Sequence, residues 1–267
     1  MVESRAVRIA LRIASGGVLA FLYLPLVVLA IYAFNDSRIQ AWPPVSFSFR
    51  WFGEAAANPA IVKALTNSLI AGGVATALAL VLGTLASFAV HRFRFFGRET
   101  VSFLLVLPIA LPGVVTGIAL RTTFSTFDID FGLMTVIVGH STFCIVIVYN
   151  NVIARLRRLP QSPEEASGDL GADMWTTFRR VTAPRLGTAL LSGALLAFAL
   201  SFDEIIVTSF TAGAGTQTIP IWILNGIQRP RELPVVNVVA LVLILFSVIP
   251  VWLAQRISGT ETAGARL

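Results

Sequence analysis

The chain has 267 residues, of which 56% are hydrophobic and only 13% are charged, and its mean hydropathy is +0.81. The surface of a water-soluble protein of this size does not tolerate such a composition, so we expect a membrane protein. The net charge of +6 does not indicate nucleic-acid binding, because the arginines cluster beside particular apolar runs. These runs leave no stretch large enough for a separate soluble domain, and we predict one transmembrane domain over residues 1–267.

Apolar runs of about 20 residues, the length that crosses a bilayer, recur along the chain. The runs without charged residues lie at 13–34, 64–90, 100–120, 131–154 and 233–255. One more run, from Leu186 to about Phe210, is apolar except for Asp203 and Glu204. It lies before 233–255 and is therefore the fifth of the six in chain order. We therefore predict an all-α membrane protein with about six transmembrane helices.

The basic residues predict the orientation of these spans. With the N-terminus in the cytoplasm, fourteen of the twenty basic residues lie in cytoplasmic segments and six lie outside. This distribution agrees with the positive-inside bias and places both termini in the cytoplasm. Arg5, Arg8 and Arg12 before the first run also resemble a secretory signal, but no small-x-small site lies directly before Asn35, where the apolar run ends. We expect this run to be kept as a span.

Two segments near the outer ends of the early spans have distinctive residues. After the first span, residues 47–51 alternate as a strand would, whereas Arg50 to Ala57 suit a short surface helix, and both interpretations stay open. The third span contains Pro108 and Pro112, each of which removes a helix hydrogen bond, so we predict a kink or a break there. Kinks near the middle of a membrane often line transport pathways, and a purely structural bend is the alternative.

Small residues and histidines within the spans are weaker signals. Gly113 and Gly117 form a small-xxx-small pair that permits close helix packing. His140 in the fourth span is interpreted as a hydrogen-bonded packing residue rather than a ligand. With only His91 as a second histidine and Cys144 as a lone cysteine, we expect no metal site.

The longest cytoplasmic connection, residues 155–186, joins the fourth and fifth spans and is predicted to fold as two short helices. Ser162 and Pro163 suit the start of the first helix. Glu164 and Glu165 lie in its first turn, where negative charge is favoured by the helix dipole.

The second half of this loop predicts a second helix. Gly171 can end the first helix in a left-handed turn. Trp175, Phe178 and Val181 then recur at helical spacing, and Pro184 is expected to end this helix before the next span.

The loop resembles the Glu-Ala-Ala loop of binding-protein-dependent ABC importer permeases. Glu165-Ala166-Ser167 is followed after three residues by Gly171 and after nine more by Val181-x-Ala183-Pro184, and this spacing matches the family throughout. Ser167 and Ala183 are mild departures from the usual Ala and Leu. In that family the helix sits in a cleft of the ATPase subunit and its glutamate pairs with a basic group there. The resemblance gives this pairing role to Glu165. The coupling residues implied by the resemblance are Glu164, Glu165, Ala166, Ser167, Asp169, Gly171, Ala172 and Pro184.

The sequence contains no motif for ATP hydrolysis. It has no G-x-x-x-x-G-K-[ST] phosphate loop, and its only lysine is Lys63. We therefore expect no enzymatic activity and no cofactor bound by this chain, with ATP and Mg²⁺ used by a partner ATPase. The partners implied by the resemblance are an ABC ATPase dimer, a second homologous permease and an extracytoplasmic solute-binding protein. Membrane lipid is expected as a further partner, and nucleic acid is not.

The resemblance extends over nearly the whole chain. The chain is similar to the second permease of spermidine/putrescine-type systems. The segments that carry it are Arg50-Trp51-Phe52, Asn67-Ser68-Leu69, Pro112 to Leu120, Asp169 to Ala172 and Ser201-Phe202-Asp203-Glu204. It implies a type I ABC importer permease fold and a multi-pass position in a bacterial inner membrane. It also implies uptake of a polyamine or another small amine by alternating access.

One departure bears on the solute. Spermidine/putrescine permeases commonly carry an acidic residue directly after the proline that corresponds to Pro112, and this chain has Gly113 there. A group that would face a cation is therefore missing. Amino acids, other amine-bearing organic acids and phosphonates stay open as solutes.

Asp203 and Glu204 are the strongest local signal for a transport pathway. Carboxylates within a span are costly unless they face protein or water, so they mark pathways by default. On a continuous helix Asp203 would lie about 25 Å from Leu186, nearer the outer side. A structural ion pair or helix cap is the alternative. Together with Pro112 and Gly113, these carboxylates are the predicted pathway residues.

Two other classes of protein are alternatives to an importer permease. An ion-gradient-driven secondary transporter with a proton-carrying carboxylate would leave the spacing from Glu165 to Pro184 unexplained. An intramembrane enzyme would need a nucleophile with a base, or a metal-binding set, and neither is visible in the sequence.

Overall fold

The computed structural model describes residues 5–247 of the chain. Secondary structure in this range is helical apart from one isolated antiparallel bridge between Asn35 and Phe47. The helices are α1 (Arg5–Phe34), α2 (Arg50–Ala57), α3 (Pro59–Arg92), α4 (Arg98–Ala110), α5 (Gly113–Thr126), α6 (Leu133–Leu156), α7 (Ser162–Asp169), α8 (Met174–Thr177), a π-helical turn (Phe178–Thr182), α9 (Ala183–Phe202), α10 (Ile206–Thr211), α11 (Ile219–Ile227) and α12 (Leu233–Ser247). The predicted all-α class is confirmed.

Among residues 5–247, four helices are long and apolar enough to cross a membrane: Val7–Phe34, Pro59–Arg92, Leu133–Leu156 and Met174–Phe202. A fifth crossing is formed if α4 and α5, which meet at a bend of 106°, count as one span. The last predicted span, 233–255, contains α12 but runs beyond the described residues. The expected six spans are thus matched approximately.

The bend between α4 and α5 confirms the break predicted from the prolines. Helix α4 ends where the Leu111 N–H donates to the Leu107 carbonyl, at 3.1 Å. Pro112 has no N–H to continue the ladder, and its carbonyl instead accepts from Val115 to start α5, at 2.9 Å. Pro108 lies inside α4. The break therefore falls at the second proline.

The chain divides into two compact units. Among the described residues, the first unit comprises 5–62 and 223–247, and the second comprises 63–222. The single permease domain expected from the sequence stays a prediction.

In the first unit, α2 packs beside the end of α1. The Trp51 side chain is fully buried and donates from Nε1 to the Asn35 carbonyl, at 2.8 Å. The Arg50 guanidinium lies over the Trp51 ring, 4.8 Å from its centroid. Arg50–Ala57 is thus the short helix, and the alternative strand at 47–51 is reduced to a single bridge at Phe47.

The core of the second unit lies between α3, α6 and α9. Small or branched apolar side chains fill it, and its buried members are Ala75, Ala79, Cys144, Val148, Val152, Leu156, Leu186 and Ala197. The Ser87 hydroxyl of α3 donates to the Tyr149 carbonyl of α6, at 3.1 Å, and the Tyr149 hydroxyl bonds Ser102 of α4, at 2.7 Å. Helix α6 is the central element of this unit and positions the residues of the candidate sites.

Candidate functional site

Helix α7 starts and ends as the sequence predicts. The Gln161 carbonyl accepts from the N–H groups of Glu164 and Glu165, at 2.9 and 3.1 Å. Gly171 has φ of +81°, a left-handed conformation that costs glycine little and strains other residues. Its N–H donates to the Gly168 carbonyl, at 2.8 Å, which closes the turn.

Glu164 ties this helix to the end of α3. Its carboxylate forms an ion pair with Arg92 and also accepts a hydrogen bond from the Thr182 hydroxyl. The side chains are only 18% and 32% exposed for Glu164 and Arg92. Glu164 is therefore an internal fastening of the loop, whereas the neighbouring Glu165 is exposed.

The second helix of the loop does not end at Pro184, so that prediction is wrong. α8, the π-helical turn and α9 form one continuous helix, Met174–Phe202, and Pro184 lies in the first turn of α9. The Ala183 N–H donates to the Phe178 carbonyl, five residues back, as in a π turn. This wider turn shifts the hydrogen-bond ladder just before Pro184, where the missing N–H is tolerated as at a helix start.

Asp173 caps α8 and was not singled out by the sequence analysis. Its carboxylate accepts from the Thr176 N–H, at 3.0 Å. Hydrogen bonds with the Thr176 side chain and backbone lower the pKa of Asp173 below its ordinary value of 3.8. An Asp three residues before Thr176, directly ahead of a helical segment, is the usual N-cap signal and would have found it.

The loop exposes one carboxylate and several large apolar side chains. Leu170, Met174 and Trp175 are 89%, 71% and 65% exposed, and Glu165 is exposed on the same loop. We call these four residues the loop surface. Among the other predicted coupling residues, Ala166, Asp169, Gly171 and Pro184 are exposed and Ala172 is half-buried.

Contacts beneath the loop surface hold its shape. The Ser167 hydroxyl bonds the Thr177 hydroxyl, at 2.9 Å, and so joins α7 to α8. The Trp175 ring stacks on Phe178, with centroids 5.7 Å apart, and Phe178 meets the Phe88 ring of α3 edge-on, at 5.4 Å. The loop is therefore packed against α3.

Asp203 and Glu204 were expected on a continuous helix, but the structure does not place them on one. Helix α9 ends at Phe202 and α10 begins at Ile206, so both residues lie in a break. The Glu204 carboxylate accepts from the Val207 N–H, at 2.8 Å, and satisfies one of the free donors at the start of α10. Glu204 is thus a cap, as the structural alternative anticipated, while Asp203 is exposed at the end of α9.

His140 of α6 bridges this break. Its Nδ1 lies 2.7 Å from the Ser201 hydroxyl and its Nε2 lies 2.8 Å from the Thr208 hydroxyl. The Thr208 hydroxyl already donates to the Glu204 carbonyl, at 2.9 Å, so it accepts from Nε2–H, and Nδ1 accepts from Ser201. The ring is fully buried. The interpretation of His140 as a hydrogen-bonded packing residue is confirmed.

Other contacts from α6 support the same break. The Thr135 hydroxyl donates to the Thr211 carbonyl, at 2.7 Å, and the Cys144 thiol donates to the Ala197 carbonyl, at 3.3 Å. Irregular backbone at membrane depth is tolerated only where protein or water satisfies it. Helix α6 supplies that support on both sides of the break.

The second break, between α4 and α5, lies beside the first because α5 packs against α10. A Cβ on Gly113 would contact Ile206 at 3.5 Å, and one on Gly117 would lie 2.5 Å from the Phe210 ring. The predicted close packing at these glycines is therefore confirmed. The structure brings Pro112 and Gly113 of one break to the helix that Glu204 caps in the other.

The chain matches the model of a known family of membrane transport proteins. Residues 79–259 match the family described as the binding-protein-dependent transport system inner membrane component. The chain therefore belongs to this family and is a multi-pass inner-membrane permease subunit of an ABC importer. Such a subunit works with an ATPase and a solute-binding protein.

Curated relatives narrow the comparison. The chain is 36% identical over 228 residues to the putrescine transport system permease protein PotI of Escherichia coli K12, covering 82% of this chain and 80% of the relative. It is 30% identical over 258 residues to the spermidine/putrescine transport system permease protein PotC of the same strain, covering 95% and 97%. The PotC protein of Haemophilus influenzae is 31% identical, covering 90% and 93%.

Solved structures agree on the fold. A chain of a bacterial ABC transporter that imports the acidic polysaccharide alginate superposes with a TM-score of 0.75 at 15% identity, over 97% of this chain and 99% of that chain. The alginate transporter in complex with its pentasaccharide-bound periplasmic protein gives a TM-score of 0.72 at 16% identity, over 96% and 95%. The expected permease fold is confirmed.

Proposed function

We propose that this chain forms the membrane pathway for a small cationic solute, a polyamine or another small amine, and receives the force of a separate ATPase on its loop surface. The observation that carries the proposal is the exposed loop surface, held in place by the Arg92–Glu164 ion pair. Family membership sets aside the secondary transporter and the intramembrane enzyme.

The loop surface has the features of a protein interface. Large apolar side chains that are exposed together, with polar residues around them, mark interaction sites. Leu170, Met174 and Trp175 are of this kind, and aromatic and Met residues are enriched at interfaces. Glu165 adds an unshielded carboxylate that suits a basic group on the ATPase. The neighbouring Glu164 is already paired, which explains why only one of the two glutamates is offered to a partner.

The loop is rigid enough to transmit movement. Glu164 fixes the start of α7 to α3, and Ser167 fixes α7 to α8. Because α8 continues through the π turn into α9, displacement of the loop surface moves the helix that ends at Phe202, directly before Asp203. This geometry supports alternating access driven from the loop.

The end of α9 suits a cation. The C-terminal end of a helix carries partial negative charge, and broken helices in transporters commonly expose such ends to solutes or ions. Asp203 adds a full carboxylate there and is exposed. Pro112 and Gly113 complete the proposed pathway from the adjoining break.

The names of the relatives favour putrescine or spermidine as the solute class. Gly113 in place of an acidic residue keeps amino acids, other amine-bearing organic acids and phosphonates as alternatives. Under the proposal, the partner ATPase dimer binds ATP and Mg²⁺, a second homologous permease completes the pathway, and both termini are cytoplasmic. Membrane lipid surrounds the spans, and no nucleic acid takes part.

Copurification tests the loop surface. The tagged chain should retain its ATPase in detergent, whereas Glu165→Arg and Trp175→Ala should each weaken that association. Glu99→Arg, at an exposed glutamate in the first turn of α4, is the matched control and should leave it unchanged. Full ATPase retention in both loop variants would refute the docking role.

A further inference from the structure

A polar groove lies between α6 and α9 in the second unit, separate from the helix breaks and from the loop surface. Its volume is about 420 Å³, within the range of ligand sites. Its polar lining is Asn150, Asn151, Arg155, Arg158, Thr188 and Ser192, and the other lining residues are alanines.

The groove is rich in hydrogen-bond donors and carries uncompensated positive charge. Arg155 donates from Nε to the Arg185 carbonyl, at 3.2 Å, which holds its guanidinium at the groove. No Asp or Glu lines the groove, and among residues 5–247 neither Arg155 nor Arg158 forms an ion pair. Two guanidinium groups with amide and hydroxyl donors beside them form a site for an anion rather than for a cation.

The position of the groove indicates the source of the anion. Helix α6 has 24 residues, about 36 Å, so its last turns reach the headgroup layer of a bilayer with a core of about 30 Å. Arg155 lies in the last turn of α6 and Arg158 follows it, in the segment that the distribution of arginines places on the cytoplasmic side. Basic pockets between transmembrane helices on that side bind lipid headgroups.

We propose that the groove binds the phosphate of an anionic phospholipid from the cytoplasmic leaflet. Arg155 and Arg158 contact the phosphate oxygens, and Asn151 and Ser192 lie on the two helices beside them. The bound headgroup would join the end of span four to the start of span five, directly next to the loop. A cationic solute is excluded from the groove by the same two charges.

The test is lipid retention by the complete purified transporter, with its partner chains present. The complex is equilibrated with equal amounts of phosphatidylglycerol and phosphatidylcholine, and the retained lipids are counted by native mass spectrometry. Wild type should prefer phosphatidylglycerol. The double variant Arg155→Gln/Arg158→Gln should lose about tenfold or more of that preference, since each basic group near an anionic lipid contributes appreciably to its binding.

Arg157→Gln is the matched control. It removes the same charge one residue away, at a position outside the groove lining, and should keep the preference. Arg155→Lys/Arg158→Lys keeps both charges and should retain part of it, which distinguishes lost binding from misfolding. Equal retention in wild type and the Gln double variant overturns the proposal, as would a second permease that covers the groove and excludes lipid. If inorganic phosphate binds the groove and lipid composition has no effect, the source is free phosphate and the lipid proposal is likewise overturned.

Discussion

Arg92, the last residue of α3, forms an ion pair with Glu164, the third residue of α7, across 72 positions of sequence. The same carboxylate accepts from the Thr182 hydroxyl in the π turn. One side chain thus joins the second span, the first loop helix and the start of the fifth span. The loop is therefore fixed to the membrane part of the second unit at its own first turn.

A double-mutant cycle with Glu164→Gln and Arg92→Gln measures this fastening. Because both side chains are partly buried, we expect a coupling free energy of about 1 kcal/mol, at the upper end for ion pairs near a surface. Thermal unfolding of the purified transporter gives the free energies. Additive effects of the two substitutions would show that the pair contributes no stability.

Substitution of the α8 cap has a pH signature. Hydrogen bonds from Thr176 lower the pKa of Asp173 in the folded protein, so the cap stabilises α8 at pH above 3.8 and is lost as the pH falls through the lowered pKa. Asp173→Ala should speed hydrogen exchange at the Thr176 amide several-fold at neutral pH, because that amide loses its acceptor. The difference between wild type and variant should vanish in strong acid. Unchanged exchange at neutral pH would contradict the capping role.

The two carboxylates of the break should respond differently to neutralisation. Asp203→Asn removes exposed negative charge at the end of α9 and should reduce putrescine uptake while ATPase association stays intact. Glu204→Gln keeps an amide oxygen that can still accept from Val207, so the assembly should survive, whereas Glu204→Leu should destabilise α10. Uptake in proteoliposomes with the companion binding protein measures the first effect. Full uptake by Asp203→Asn removes Asp203 from the proposed pathway.

His140 should be needed for the stability of the break. His140→Ala leaves the hydroxyls of Ser201 and Thr208 without their buried partner, and we expect a loss of about 2 kcal/mol or more in unfolding free energy. The other histidine, at the end of α3, provides the control His91→Ala. Thermal unfolding of both variants measures the difference. Equal melting temperatures for His140→Ala and wild type would show that His140 is not required as a support.

Alanine should have different effects at a tightly packed glycine, Gly117, and at a glycine in open space, Gly73. Gly117→Ala places a Cβ 2.5 Å from the Phe210 ring, so it should destabilise the protein by about 1–3 kcal/mol. Gly73→Ala in α3 meets nothing within 4 Å and should be neutral or slightly stabilising, because alanine is the better helix former. Unfolding curves of the two variants check the sign. The prediction would be wrong if Gly73→Ala destabilised the protein and Gly117→Ala did not.

The spans and the first loop helix could be predicted because each has a direct chemical cause in the sequence. Apolar length sets the spans, Pro112 removes a donor at the first break, and Gly171 permits the left-handed turn. These are local effects. A single sequence is enough to show them.

The second break and the continuous loop helix could not be predicted, because their causes lie elsewhere in the chain. The segment from Ser201 to Phe210 contains neither Gly nor Pro, and its break depends on His140 and on the Glu204 carboxylate that replaces a ladder bond. At Pro184, the π turn moves the hydrogen-bond register before the proline is reached. Both are cases in which tertiary contacts or a changed register override the local signal.

The helix from Met174 to Phe202 continues without a break through the π turn. It spans 29 residues, about 43 Å, with the loop surface at one end and Asp203 directly after the other. Under the proposed function, a force applied at Trp175 by the ATPase would be carried along this helix, because its backbone stays helical through the π turn as far as Phe202. The force would then reach the break where α9 ends, and the short helix α10 beyond it could move only together with its contacts to α5 and α6.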